Sequence, residues 1–397
     1  MHLLDLPPEI LCIIFTYADS RYSLGRTCKY THHIMNSIAA KKITLYKKPR
    51  SISEVVNKSI INKNTNICVK FNPEKSELKH MYDFYNLKMS NFGKNGKKYF
   101  PKLNFQSFYG FRNLRNVHLE KIQIKNRILK TLFRSRSQDT IESLTIKDCS
   151  HFLTTDGFEE IGRLKNLKHF TLKKLYITDE LFLYLTDTKL ESLTLSRCRN
   201  LTDLCLNLIL PDNLVKLKLS TCFRLKGTII NKFTNLTELK ISRCYQICSV
   251  DIKNLTKLRK IKLKEINFID KKIYFPLQLK NLNLLGSNNV SRLLRYNDLS
   301  NLETLLIDDG DVIDNEIVLL PNIKNLHIQN MYKLTNASIN NLRNLKKITL
   351  KNCNSVRVDR LDSKIIVEKN DPNILIVYLE RLLILVLGIL TSLEYAY

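Results

Sequence analysis

The sequence predicts an α/β solenoid of stacked strand–turn–helix units, preceded by a small helical module. Two regularities and one local feature predict it. From residue 114 the pattern L-x-x-L-x-L, with Ile, Val or Phe sometimes replacing Leu, occurs in eleven copies whose starts lie 21 to 27 residues apart. The eighth residue after each start is Cys in five copies and another apolar residue in four. Ahead of the array, LPPEILCIIFTYAD places Ile10, Leu11, Ile13, Ile14, Phe15 and Tyr17 around nearly the whole circumference of one short helix. A helix lying on a protein surface shows a single apolar stripe, so this one needs covering on more than one side.

The helix is expected from Pro8 to about Ala18, with Asp5 and the two prolines marking its start. MHLLDLPPEIL has no basic leader region and no unbroken apolar core, so no secretory signal is expected and the ten cysteines should be reduced. The stretch resembles the first half of the F-box motif, Leu-Pro-x-Glu-Ile/Leu-Leu with Ile and Phe one turn later. Leu6, Pro7, Glu9, Ile10, Leu11, Ile14 and Phe15 fall on that pattern. In the second half Leu24, Cys28 and Lys29 match, while Thr31 stands in place of the usual Trp and Ala18 in place of a customary Leu. The resemblance covers about residues 3–40. It implies a three-helix module that binds a Skp-type adaptor, which bridges to a cullin ubiquitin ligase while the downstream repeats select the substrate. By that resemblance Leu6, Pro7, Glu9, Ile10, Leu11, Ile14, Phe15, Leu24 and Cys28 are the adaptor contacts. It further implies a place in the cytoplasm or nucleus of a eukaryotic or virus-infected eukaryotic cell. The alternative is that these helices cap one end of the solenoid in a scaffold with no ligase role.

Residues 41–110 follow the repeat poorly. KKITLY and NICVKF read as two strands of degenerate repeats. KHMYDFYNLKMSNFGKNGKKYFPKLNFQSFYGF, rich in Tyr, Phe and Lys, reads as an atypical repeat packing its own aromatics, or as an insertion loop that adds to binding.

The regular array runs over about residues 111–368, with clear copies at LESLTL (Leu190), LVKLKL (Leu214), LTELKI (Leu236) and LKNLNL (Leu279). Cys149, Cys198, Cys222, Cys244 and Cys353 hold the eighth position, Ile122, Leu175, Ile266 and Met331 hold it in other copies, and Ser287 and Gly310 are exceptions. Thr178-Asp179, Thr202-Asp203 and Thr335-Asn336 have the chemistry of helix starts. Period and motif together resemble the cysteine-containing class of leucine-rich repeats, which implies a horseshoe. One unit cannot bury its apolar ladder alone, so neighbours must stack. Parallel strands about 4.8 Å apart would line the concave side, and the residues between the leucines would face it.

The chain ends NILIVYLERLLILVLGILTSLEYAY, where Ile374–Leu393 is uncharged but for Glu380 and Arg381. These charges leave Leu382–Leu393, short of the roughly 20 residues a membrane span needs. A helix capping the last repeat is the expected role of residues 369–397, with a membrane anchor as the alternative.

No cofactor, metal or catalytic centre is expected. There is no C-x-x-C pair, no H-E-x-x-H, P-loop, G-x-S-x-G or G-x-G-x-x-G, and half the cysteines sit where apolar residues also serve. The net charge of +27 favours acidic partners. On the presumed concave face Lys216, Lys218, Lys240, Arg243, Lys260, Lys262 and Lys264 form a basic strip, which points to an acidic or phosphorylated protein substrate. Earlier strands carry Thr145, Thr171 and Thr194 beside Lys147, Lys173, Lys174 and Arg197, and later ones turn acidic at Asp308, Asp309 and Asp311. The strip has no interleaved aromatic rings on which bases could stack, which argues against nucleic acid.

Overall fold

A computed structural model describes residues 113–369 except 122–123, 150–152, 248–249, 267–272 and 309–310, together with the backbone of three strands at 42–45, 66–69 and 86–90. The F-box-like stretch 1–40, with every expected adaptor contact, and the apolar segment 374–393 lie outside the described residues. The chain divides into two compact units, Met1–Phe233 and Thr234–Tyr397.

In the first unit eight parallel strands pair in chain order: β1 (Lys42–Leu45), β2 (Asn66–Val69), β3 (Asn86–Ser90), β4 (Asn116–Glu120), β5 (Ser143–Lys147), β6 (His169–Lys173), β7 (Ser192–Ser196) and β8 (Lys216–Ser220). Each repeat pairs in the same register, so Leu144, Phe170, Leu193 and Leu217 lie side by side. That register follows from the period: with side chains alternating across a strand, the third and fifth positions after each start face the core together. Leu193, Leu195, Leu217 and Leu219 are buried there. β1 and β2 fall on the two strands expected in 41–110. β3 lies inside the aromatic stretch, so that stretch is not a loop throughout. Leu87 and Met89 hold the register positions of Val117 and Leu119 in β4, an apolar alternation hidden among the surrounding tyrosines and lysines.

In the second unit the parallel order is β9 (Glu238–Ser242), β11 (Lys260–Lys264), β13 (Asn281–Leu284), β14 (Thr304–Asp308), β15 (Asn325–Gln329), β16 (Lys347–Lys351) and β17 (Ile366–Lys369). A separate parallel pair joins β10 (Val250–Asp251) to β12 (Ile273–Tyr274).

The far side of each repeat is more varied than a strand–turn–helix unit predicts. Among the described residues the α-helices are α1 (Asn126–Phe133), α2 (Asp203–Asn207), α3 (Val290–Tyr296), α4 (Asp314–Val318) and α5 (Asn336–Asn340), whereas Asp179–Leu185 and Ile230–Lys232 wind as the tighter 3₁₀ form. Two repeats carry β10 and β12 on this side and no helix among their described residues. Val250 and Ile252 alternate in the first, and in the second Pro276 biases Phe275 toward extended backbone. Thr202 and Thr335 cap α2 and α5 as expected, accepting from the backbone N–H of Leu204 and Ala337 at 3.3 and 3.2 Å. Thr178 precedes its 3₁₀ segment without such a bond.

The eighth-position cysteines are buried as small core residues and form no disulfide among the described residues. Cys198 directs its thiol to the carbonyls of Leu172 and Ser196 at 3.7 and 3.6 Å. Burial pushes that thiol up to about 12, so it stays protonated and inert. Ser287, the apparent exception, does the same job: its buried hydroxyl donates to Leu263 O at 3.1 Å and accepts from Ile266 N at 3.2 Å.

The residue just before this position has a strained backbone. Lys121, Asp148, Lys174, Arg197, Thr221, Arg243, Glu265, Asn330 and Asn352 all have φ between 52° and 55°, and Gly286 has 69°. This left-handed turn ends each strand and lets the backbone N–H reach the next repeat, as from Lys174 to Ser196 O and from Arg197 to Ser220 O, both 2.8 Å. A β-branched residue suits the turn least. Thr221→Asn is therefore expected to stabilise the protein by about 0.5–1 kcal/mol, read as a higher urea midpoint at unchanged slope.

Candidate functional site

Positions two, four and six after each repeat start form the open face of each sheet. In the second unit the expected basic strip is present but largely partnered. Lys240 pairs with Glu238 on its own strand at 2.5 Å. Arg243 holds Glu265 with a two-pronged contact, Nη2 to Oε1 at 3.0 Å, and Lys264 approaches the same carboxylate at 3.2 Å. Burial would raise the Glu265 carboxyl, but hydrogen bonds from Arg243 and Lys264 outweigh it and hold the group below the usual carboxylate range. Lys260 and Lys262 have no carboxylate within ion-pairing distance among the described residues and remain the available cations of this strip. The acidic end is present in part: Asp308 accepts from Asn330 Nδ2 at 2.6 Å, Asp311 is exposed, and Asp309 lies outside the described residues.

In the first unit Lys216 and Lys218 are exposed on β8 and carry no ion pair among the described residues. Beside them the open face is built of hydroxyls and cations. Thr145, Thr171, Thr194 and Lys218 stand in one row across β5–β8, and Lys147, Lys173, Ser196 and Ser220 in the next. Two cations at its edges are partnered: Lys147 contacts Glu120, which His118 also approaches at 3.2 Å, and Lys174 reaches Asp148 at 3.1 Å. Lys173, Arg197 and Lys218 have no acidic partner among the described residues. Burial pulls the Lys173 ammonium below its ordinary value, and the like charges of Lys147, Arg197, Lys174 and Lys218 add to that. These positions divide between the two units. Lys216 and Lys218 lie in the first, and Lys240, Arg243, Lys260, Lys262 and Lys264 in the second.

Among the described residues no cluster of His, Cys, Asp and Glu could hold a metal ion, and no helix is long and apolar enough to cross a membrane.

The family model for the At1g61320/AtMIF1 leucine-rich-repeat domain matches residues 109–285. The chain carries a leucine-rich-repeat domain. Its repeats make a protein-interaction scaffold. No curated protein shows a significant sequence match. Similar solved structures include the leucine-rich-repeat protein LIC12759 of Leptospira interrogans, at 17% identity and TM-score 0.49, covering 90% of this chain and 98% of that one. An internalin, InlF, from Listeria monocytogenes matches at 16% identity and TM-score 0.47, covering 82% of this chain and 94% of its own. The structure of the yeast Rad7 and Elc1 complex contains a chain at 14% identity and TM-score 0.46, with 91% and 92% covered.

Proposed function

We propose that the protein is the substrate-recognition subunit of an SCF-type ubiquitin ligase. In this reading residues 1–40 bind a Skp-type adaptor, which links to a cullin, and the open face of the repeats holds an acidic or phosphorylated protein. The observation that carries it is the presence, in one chain, of the F-box-like run Leu6–Phe15 and an array of eleven leucine-rich repeats. The repeats supply a surface on which unpartnered Lys260 and Lys262 in one unit, and Lys173, Lys216 and Lys218 in the other, favour negative charge. Ubiquitin transfer would belong to the partners, and the chain itself would be non-catalytic.

Co-purification of the full chain with a Skp-type adaptor, with and without residues 1–40, tests this. Ile10→Asp combined with Phe15→Asp puts two charges into the apolar surface of the first helix and is expected to abolish capture of the adaptor. The circular dichroism and melting of the repeats should not change. Loss of the repeat fold in that variant would show instead that the helices cap the array. An intact wild-type chain that captures no adaptor would leave a scaffold without a ligase role.

A further inference from the structure

The hydroxyl and lysine rows of the first unit have a feature that an ordinary solvated surface lacks. Ser196, at the end of β7, is only 8% exposed, yet its hydroxyl has no hydrogen-bond partner among the described residues. Buried hydroxyls are normally bonded, and an unfilled one costs stability unless something arrives to meet it. It shares the open face of β7 with Thr194, because residues two apart on a strand point the same way while Leu193 and Leu195 enter the core. Thr171 and Lys173 lie opposite Thr194 and Ser196 on β6, and Lys218 lies opposite Thr194 on β8. The hydroxyls of Thr145, Thr171 and Thr194 are likewise without partners among the described residues. Arg197 follows Ser196 in the left-handed turn with φ of 54°.

We infer that Lys173, Ser196, Arg197 and Lys218, with the Thr171 and Thr194 hydroxyls, form a binding site for the phosphate group of a phosphorylated serine or threonine in a protein segment lying across β6–β8. The donor set matches the ligand. A phosphate dianion has three free oxygens that can take the hydroxyl donors together with ammonium and guanidinium hydrogens, and a guanidinium can grip two of them at once. Three mutually repelling cations without carboxylates between them gain from one shared anion. Two acids at the ends of β4 and β5, Glu120 and Asp148, are already held by Lys147 and Lys174. A protein segment is favoured over nucleic acid because no Phe or Tyr occupies the open face of β4–β8, where bases would need rings to stack on. The basic strip read from sequence gives Lys216 and Lys218 equal standing with the second unit's lysines, whereas the unpartnered Ser196 hydroxyl singles out this unit.

The inference rests on the repeats being a protein-binding surface and is independent of the adaptor. Its test is binding of the full chain to a degenerate phosphoserine/phosphothreonine peptide library and to the same library unphosphorylated. The phosphorylated library should bind at least about tenfold more tightly, the difference expected of one charge-assisted contact set. Lys173→Gln and Ser196→Ala should each remove about tenfold of that preference. The Lys260→Gln, Lys262→Gln double variant should leave it intact. Ser196→Ala should also melt no lower than the wild type, since the lost hydroxyl has no partner among the described residues, and this separates a ligand role from a structural one. Equal binding of the two libraries overturns the phosphate site but leaves the protein-binding surface standing. Binding of neither overturns both. Preference lost through Lys260 and Lys262 but not Lys173 would place the site in the other unit and overturn this assignment. Displacement of the phosphopeptides by lower concentrations of oligouridylate would overturn the choice of a protein ligand. Adaptor capture by Lys173→Gln should be unchanged, so failure of the ligase reading and failure of this one give different results.

Discussion

Asp203→Ala is expected to destabilise the first unit by about 3 kcal/mol at neutral pH, a large effect for one surface-side carboxylate. Asp203 opens α2, just after the capping Thr202, and its side chain does not serve its own helix. It accepts from the backbone N–H groups of Lys226, Gly227 and Thr228 at 2.8, 3.0 and 2.9 Å and from the Thr228 hydroxyl at 2.7 Å. One carboxylate thus ties down the start of the next repeat's far side. Equivalent clamps recur: Asp179 accepts from Thr202 N and Oγ1 at 2.9 and 2.6 Å, and Asp314 from Thr335 N and Oγ1 at 2.8 and 2.6 Å. In a repeat array, stability is a sum of unit terms and nearest-neighbour terms, and these bonds belong to the second kind. Hydrogen exchange should therefore show the amides of 226–228 losing protection first. The pH dependence has a definite sign. Burial would raise the Asp203 carboxyl, but the bonds from Thr228, Gly227 and Lys226 prevail and hold it below its ordinary value. A carboxyl depressed by folding contributes its stability above its unfolded pKa, about 4, and loses it as the pH falls through the folded value. Wild-type unfolding free energy should fall through that acid range more steeply than that of Asp203→Ala. Equal slopes would mean that solvent satisfies the three amides as well as Asp203 does.

The parts of the fold legible in the sequence are those that one side chain reports alone. Leu or Ile at the start, third and fifth positions must be buried, so the strand register could be read without knowing any neighbour. Thr202 and Thr335 were legible as helix caps because capping is local, whereas Thr178 makes no such bond, and the forward reach of Asp179, Asp203 and Asp314 to the next repeat is not local and was missed. The left-handed turn escaped for a different reason. Lys, Asp, Arg, Thr, Glu, Gly and Asn all occupy it, and at Lys121, Asp148, Lys174, Arg197, Arg243 and Asn330 a backbone hydrogen bond to the following repeat holds the turn whatever the side chain. A usable signal did exist in the Asn before several repeat starts. Asn166, Asn301, Asn322 and Asn344 each donate Nδ2 to a backbone carbonyl of the preceding repeat, at 2.6 to 3.1 Å. At the candidate site, inter-leucine spacing places the lysines on the open face correctly. It does not reveal which are neutralised, since Glu265 meets Arg243 only across neighbouring strands. The unpartnered state of Ser196 is likewise a property of three strands together, invisible in SLTLS.

Arg295→Met should cost about 3–5 kcal/mol in the second unit, because it strips the only cationic partner among the described residues from a carboxylate that water hardly reaches. The Glu316 side chain on α4 is 1% exposed. Its Oε1 accepts from Arg295 Nε at 2.6 Å and from Ser291 Oγ at 3.0 Å, both on α3 of the preceding repeat. Its Oε2 reaches back to the backbone N–H of Ile313 at 2.7 Å, closing the first turn of its own helix. The group therefore joins two repeats and one helix start, as Asp203 does, but in a drier place where an uncompensated charge is costly. Glu316→Gln added to Arg295→Met should recover most of the loss, since the amide oxygen can still accept from Ile313 or Ser291 and no charge remains to be balanced. The double-variant cycle should thus show a strong favourable coupling, read from urea unfolding of the four proteins. If Arg295→Met alone unfolds within about 1 kcal/mol of the wild type, the exposed guanidinium is screened as a surface pair would be. The Ser291 hydroxyl and the Ile313 amide would then be what keeps Glu316 in place.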